Sequence, residues 1–142
     1  MNGNAELLNF IYQNSEMGVE TIKQLLKIAN EDKFLSQLNF QLKEYENINS
    51  DAKNLLNQNN FTEKDISAFE KLTTYLMINM KTMTDKSSQR IAEMMIIGSN
   101  MGIINAIKNI RKYSNAEKDI IDLMKKLLEF EENNVKALKT FL

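Results

Sequence analysis

The chain has 142 residues, with 18 basic against 19 acidic side chains for a net charge of -1, four glycines, and no histidine, cysteine or proline. That balance leaves no electrostatic footprint for nucleic acid or an anionic membrane, and the missing His and Cys remove the commonest metal ligands and nucleophiles. A disulfide framework is excluded, and almost nothing interrupts helices.

A chain of this length buries about 70% of its unfolded surface without staples, so residues 1–142 are read as a single helical-bundle domain. The first segment is expected from about Asn4 to Ala29, with Leu7, Leu8, Ile11, Ser15, Gly18, Ile22, Leu25 and Ala29 recurring at three and four. Asn30-Glu31-Asp32 supplies a stop and a new N-cap, so a second, antiparallel helix follows at once. Its seam is Leu35, Leu38, Leu42, Tyr45, Asn49, Ala52 and Leu56, and Gln58-Asn59-Asn60 ends it. Thr62 with Asp65 resembles a capping box and Phe61 with Ile66 a hydrophobic staple, placing a third helix from near Glu63. Its stripe is Ile66, Phe69, Leu72, Thr73, Leu76, Met77, Met80 and Met83. The fourth segment follows Thr84–Ser87 and reaches about Lys112. Ser114-Asn115-Ala116-Glu117 reads as another capping box, opening a fifth helix through Ile120, Met124, Leu127, Leu128, Val135, Leu138 and Phe141.

The fourth segment has two apolar faces. One holds Ile91, Met95, Gly98, Ser99, Gly102, Ala106 and Ile110, small enough for another helix to come close; the other holds Met94, Ile97, Met101 and Ile104 and is expected to meet Met77, Met80 and Met83. The nine methionines are read as core filler. Met94–Ile107, about 14 residues broken by Ser99, Asn100 and Asn105, falls short of the roughly 20 that span a membrane. The polar start and the absence of thiols make the cytoplasm the expected compartment.

Short connections make the first two helices one hairpin and the last two another, and residues 59–86 become the single crossover between them. With LLNFIYQNSEMGVETIKQLL near the start and IAEMMIIGSNMG before a final Glu-rich helix, the chain resembles the ferritin-like superfamily, especially its small bacterial members. The expected fold is therefore all-α: a ferritin-like antiparallel four-helix bundle of two helical hairpins, with a fifth helix in the crossover. The resemblance implies two iron or manganese ions, held by a Glu from each of two helices and a Glu-x-x-His from each of the other two. Here the corresponding runs are Glu44-Tyr45-Glu46-Asn47 and Glu131-Glu132-Asn133-Asn134, with Asn in place of His.

Helical projection at 100° per residue separates the acids. Glu131 points near the centre of the apolar face of the fifth helix, with Asn134 inside that face. Glu44 projects about 100° from its seam, whose inward polar groups are Gln41, Tyr45 and Asn49. Glu16 lies on the flank of the first helix beside an inward Ser15, and Glu93 faces away on the fourth. One inward carboxylate cannot balance two divalent ions, so no metal is expected. Glu131, Asn134, Glu16, Glu44 and Glu93 are the weak candidates for a degenerate site. A buried polar layer of Glu131, Asn134, Tyr45, Gln41 and Ser15, with Glu131 hydrogen-bonded to the Tyr45 hydroxyl, Gln41 or Ser15, is expected instead. No nucleophile, oxyanion donor or phosphate-binding glycine loop accompanies it, so no enzyme and no cofactor is expected. The expected role is a non-enzymatic scaffold without nucleic-acid or membrane partners. Tyr75 and Ile78 are the candidate positions for a homodimer contact.

Overall fold

A computed structural model describes residues 2–63 and 69–142. It is all-α among these residues: α1 Asn4–Leu25, α2 Asp32–Gln58, α3 Glu70–Thr82, α4 Ser88–Lys112 and α5 Lys118–Lys139, with no strand. None of these helices is long and apolar enough to cross a membrane. Asp65 and Ile66, and with them the expected box and staple before the third helix, lie outside the described residues.

Interactions at the helix ends define the topology. At one end, the Ser88 hydroxyl donates to Glu31 Oε1 at 2.7 Å, tying the start of α4 to the α1–α2 turn. Phe34 and Phe141 meet edge to face at the same end, with ring centroids 4.9 Å apart. At the other end, the Glu117 N–H donates to Asn4 Oδ1 at 2.8 Å, joining the α4–α5 turn to the start of α1. Hence α1 and α5 run one way, α2 and α4 the other. The intervening α3 carries the chain back, with the Phe69 ring tilted against that of Phe10 at 4.9 Å near one end and Asn79 Oδ1 accepting from Arg90 Nη2 at 2.9 Å near the other.

Local chemistry explains the helix starts. Gly3 precedes α1 at φ 82, a left-handed conformation that a side chain would resist, and a Cβ there would also lie 2.5 Å from the Tyr113 ring. Ser87 caps α4 by accepting from the Arg90 N–H at 3.2 Å. The expected Ser114–Glu117 capping box is not formed. Glu117 is itself the N-cap of α5, with no side-chain cap bond, so it sits too early to serve as the third helical residue that a box requires. Asn4, from across the bundle, takes the Glu117 N–H instead. The first helix also ends sooner than expected, at Leu25, and a turn closed by Ile28 N–H to Leu25 O at 3.1 Å follows.

The core is one cluster fed by every helix, including Leu7, Leu8, Ile11, Phe34, Leu38, Leu56, Phe69, Ile91, Met94, Met124, Leu127 and Leu138. The packing of α3 corrects the expected methionine seam. Leu72 and Leu76 lie on Gly98 of α4, where a Cβ would come within 3.4 Å and 3.2 Å of them, so α3 uses the small-residue face of α4. Met77 on α3 and Ile97 and Ile104 on α4 are exposed, Met80 is half-buried, and only Met83 of the three methionines is buried. The physical reason is approach distance: a helix settles where its neighbour has no side chains to hold it off.

Between α1 and α2 the close approach occurs at Gly18, against which the Tyr45 ring lies flat enough that an added Cβ would sit 2.8 Å from three ring atoms. Gly18→Ala gains up to about 1 kcal/mol of helix propensity but must displace that ring, at a typical overpacking cost of about 1–3 kcal/mol. Urea unfolding should show a net loss of stability; a variant as stable as the parent would mean that the ring does not pack there.

Candidate functional site: a buried carboxylate between three helices

Glu131 lies on the apolar face of α5 because Leu127, Glu131, Asn134, Val135 and Leu138 follow helical spacing, and all five are buried. Its exposure is 3%, and its carboxylate accepts two hydrogen bonds from other helices. Asn14 Nδ2 of α1 donates to Oε1 at 2.9 Å, and the Tyr45 hydroxyl of α2 donates to Oε2 at 3.0 Å. The fourth wall is Gly102 of α4, where a Cβ would come 3.4 Å from Asn14 Nδ2 and 3.5 Å from Glu131 Oε2. Phe130, beside Glu131 in sequence, meets the Tyr45 ring edge to face at 4.8 Å, which fixes the phenol further.

A second polar contact joins α1 to α2. Asn49 Nδ2 donates to Ser15 Oγ at 3.1 Å and to Tyr12 O at 3.2 Å, while the Ser15 hydroxyl donates to Ile11 O at 2.7 Å. Ser15 is therefore buried as expected from its spacing, but it serves Asn49 and its own helix and makes no hydrogen bond to Glu131. Gln41 is buried and lines a cavity of about 50 Å³ together with Asn14, Tyr45 and Glu131, yet its Nε2 has no hydrogen-bond partner. Asn134 lies one turn from Glu131 at 2% exposure; it opposes the rise in the Tyr45 pKa, although its Nδ2 makes no hydrogen bond of good geometry.

The remaining acids stand elsewhere. Glu16 and Glu44 are half-buried, Glu44 in a surface groove with Phe40 and Phe130. Glu93 is exposed and pairs with Arg90 one turn earlier, at 3.7 Å. Among the described residues no three acidic side chains gather where they could hold a metal ion. No protein-family model, no curated protein and no solved structure matches the chain. With one inward carboxylate, already accepting on both oxygens, the residues present do not fit the metal pair that the ferritin-like resemblance implies.

Asn14 is the partner that the sequence reading missed. It sits seven residues after Leu7 and four before Gly18, inside the apolar stripe of α1, and that spacing alone would have placed it facing the core. Burial pushes the Glu131 carboxyl up from its ordinary 4.5 to about 7, against the opposing pull of the hydrogen bonds from Tyr45 and Asn14. Burial, then the Glu131 charge and hydrogen bond, hold the Tyr45 phenol well above its ordinary value, so it remains a donor.

The stability consequence has a definite sign. The unfolded carboxyl ionises near 4.5 and the folded one near 7, so over that window the folded state holds the extra proton. Its contribution is complete below pH 4.5 and is lost as pH rises through 7, by about 3 kcal/mol in all. Unfolding measured across that range should show this loss in the native protein relative to Glu131→Gln, which cannot ionise. A pH-independent difference between the two would refute the buried carboxyl. Tyr45→Phe removes a donor that favours the ionised form, and the midpoint of the same loss should move above 7.

Proposed function

We propose that this protein is a ferritin-like bundle acting as a non-enzymatic scaffold, in which a neutralisable polar layer stands where active relatives of that fold hold metal. The carrying observation is the hydrogen bonding of Glu131 to Asn14 and Tyr45, which satisfies the one inward acid from within the chain. The order of α1 and α2, crossover through α3, then α4 and α5 supports the ferritin-like assignment, because a single long crossover between two hairpins is that connectivity. A structural, stress-related or protein-interaction role in the cytoplasm follows from this reading. It includes association with a second copy through Tyr75 and Ile78 of α3, of which Ile78 is exposed and Tyr75 half-buried.

One observation favours a carboxylate-rich metal-binding protein as the competing reading: Glu131 ionises near neutral pH with no cationic side chain bonded to it. Elemental analysis of untagged protein expressed in iron- and manganese-supplemented medium decides between them, with Glu131→Ala as control. The scaffold reading expects no stoichiometric metal in either sample. Metal near one or two equivalents that disappears in Glu131→Ala would overturn it.

A further inference from the structure

The helix α3 is anchored by fewer residues than its neighbours, and those residues border Glu131. Along its 13 residues it buries only Leu72 and Leu76, against eight or more residues in each of the other four helices. Both leucines line a cavity of about 50 Å³ that Glu131 also lines, with Met17 of α1 and Met95 of α4. The polar ties of α3 to the bundle include a long contact from the Thr73 hydroxyl to Met17 Sδ, at 3.6 Å, and the Asn79–Arg90 bond. A neutral carboxyl is tolerated in such surroundings. An ionised one offers about four acceptor sites, of which Asn14 and Tyr45 fill two, and it draws water to the rest. The cavity has space for about three waters at roughly 10–15 Å³ each. Water there lies against Leu72 and Leu76 and offsets the apolar burial that holds α3 in place.

We infer that α3 is a lid over Glu131, closed while the carboxyl is protonated and loosened when it ionises, so that a rise in pH uncovers Met17 and Met95 beneath it. The groups that face Glu131 leave this role to the carboxyl itself. From α1 comes the neutral Asn14, and from α4 the backbone at Gly102. From α2 comes the Tyr45 phenol, which burial and the Glu131 charge hold well above its ordinary value. Glu131 is the only charged residue among those lining the cavity, so α3 brings no charge to it. The nearest acids on α5 itself, Glu129 and Glu132, are exposed. Because the folded carboxyl ionises at about 7, the lid responds in the neutral range. The inference goes beyond the scaffold reading and does not depend on it.

The experiment is oxidation of the full chain by dilute hydrogen peroxide at pH 5 and pH 8, with sulfoxide formation followed at each methionine by peptide mass spectrometry. Exposed Met77 is the internal reference, so any change in the reagent itself cancels. Met17, whose sulfur meets the Thr73 hydroxyl, and Met95 report the lid. Met94 and Met124, fully buried and outside the cavity lining, report unfolding of the whole chain. Relative to Met77, oxidation of Met17 and Met95 should rise about tenfold or more between the two pH values. The ceiling over that interval is roughly 70-fold, reached if opening returns the carboxyl from about 7 to its ordinary 4.5. Met94 and Met124 should stay slower than both at each pH, and in Glu131→Gln the rates at Met17 and Met95 should not change with pH. Rates independent of pH in the native chain, a rise that persists in Glu131→Gln, or oxidation of Met94 and Met124 as fast as Met17 and Met95 would overturn the proposal. Should Glu131→Gln not fold, the ratio of Met17 to Met94 oxidation in the native chain at the two pH values decides alone.

Discussion

Removing the Glu131 carboxyl from water is the constraint around which the middle of the bundle is arranged. Desolvation opposes its charge, and the two donors that partly offset this come from α1 and α2, not from α5 itself. Each donor imposes a further condition. Tyr45 reaches the carboxylate with its ring against Gly18, where no Cβ would fit, and the Asn14–Glu131 pair lies over Gly102, where a Cβ would be in ordinary van der Waals contact with it. Three helices are thereby held in one axial register by directional bonds, which apolar packing alone does not specify.

The helix α1 is the common partner in these arrangements. It buries Asn4, Asn9, Gln13, Asn14 and Ser15 along with its apolar residues, because α2, α5 and α4 pack around it while α3 reaches it through Phe69 and Thr73. Its polar side chains therefore act as connectors. Asn14 joins it to α5, Ser15 to α2, and Asn4 to the turn before α5. At the opposite end, Glu31 places a carboxylate at the start of α4, where the unpaired N–H groups and the helix dipole favour negative charge.

Much of this was legible because helical periodicity is a statement about faces. Spacing alone brought Glu131, Asn134, Tyr45, Gln41 and Ser15 to the interior, and it set Glu93 outside. Spacing says which way a side chain points but not which partner it finds: of the three expected partners of Glu131, Tyr45 bonds it, Ser15 bonds Asn49 instead, and Asn14, outside that set, supplies the second donor. The Ser114–Glu117 box failed for a related reason. A cap motif is local, and here a side chain 113 residues away supplies the acceptor. The methionine seam does not form because closeness of approach, more than hydrophobicity, decides which face of α4 receives Leu72 and Leu76.

The sequence separation of the Asn14–Glu131 bond, 117 residues, also has a kinetic meaning. Each hairpin, α1 with α2 and α4 with α5, closes on short loops and can gain its contacts early. Burial of the carboxyl requires both hairpins at once and closes nearly the whole chain into a loop, so its desolvation falls late in assembly. Between pH 4.5 and 7 the proton that Glu131 takes up on burial is therefore tied to the meeting of the two hairpins, and it is that long-range contact, more than either hairpin, whose formation responds to the acidity of the medium.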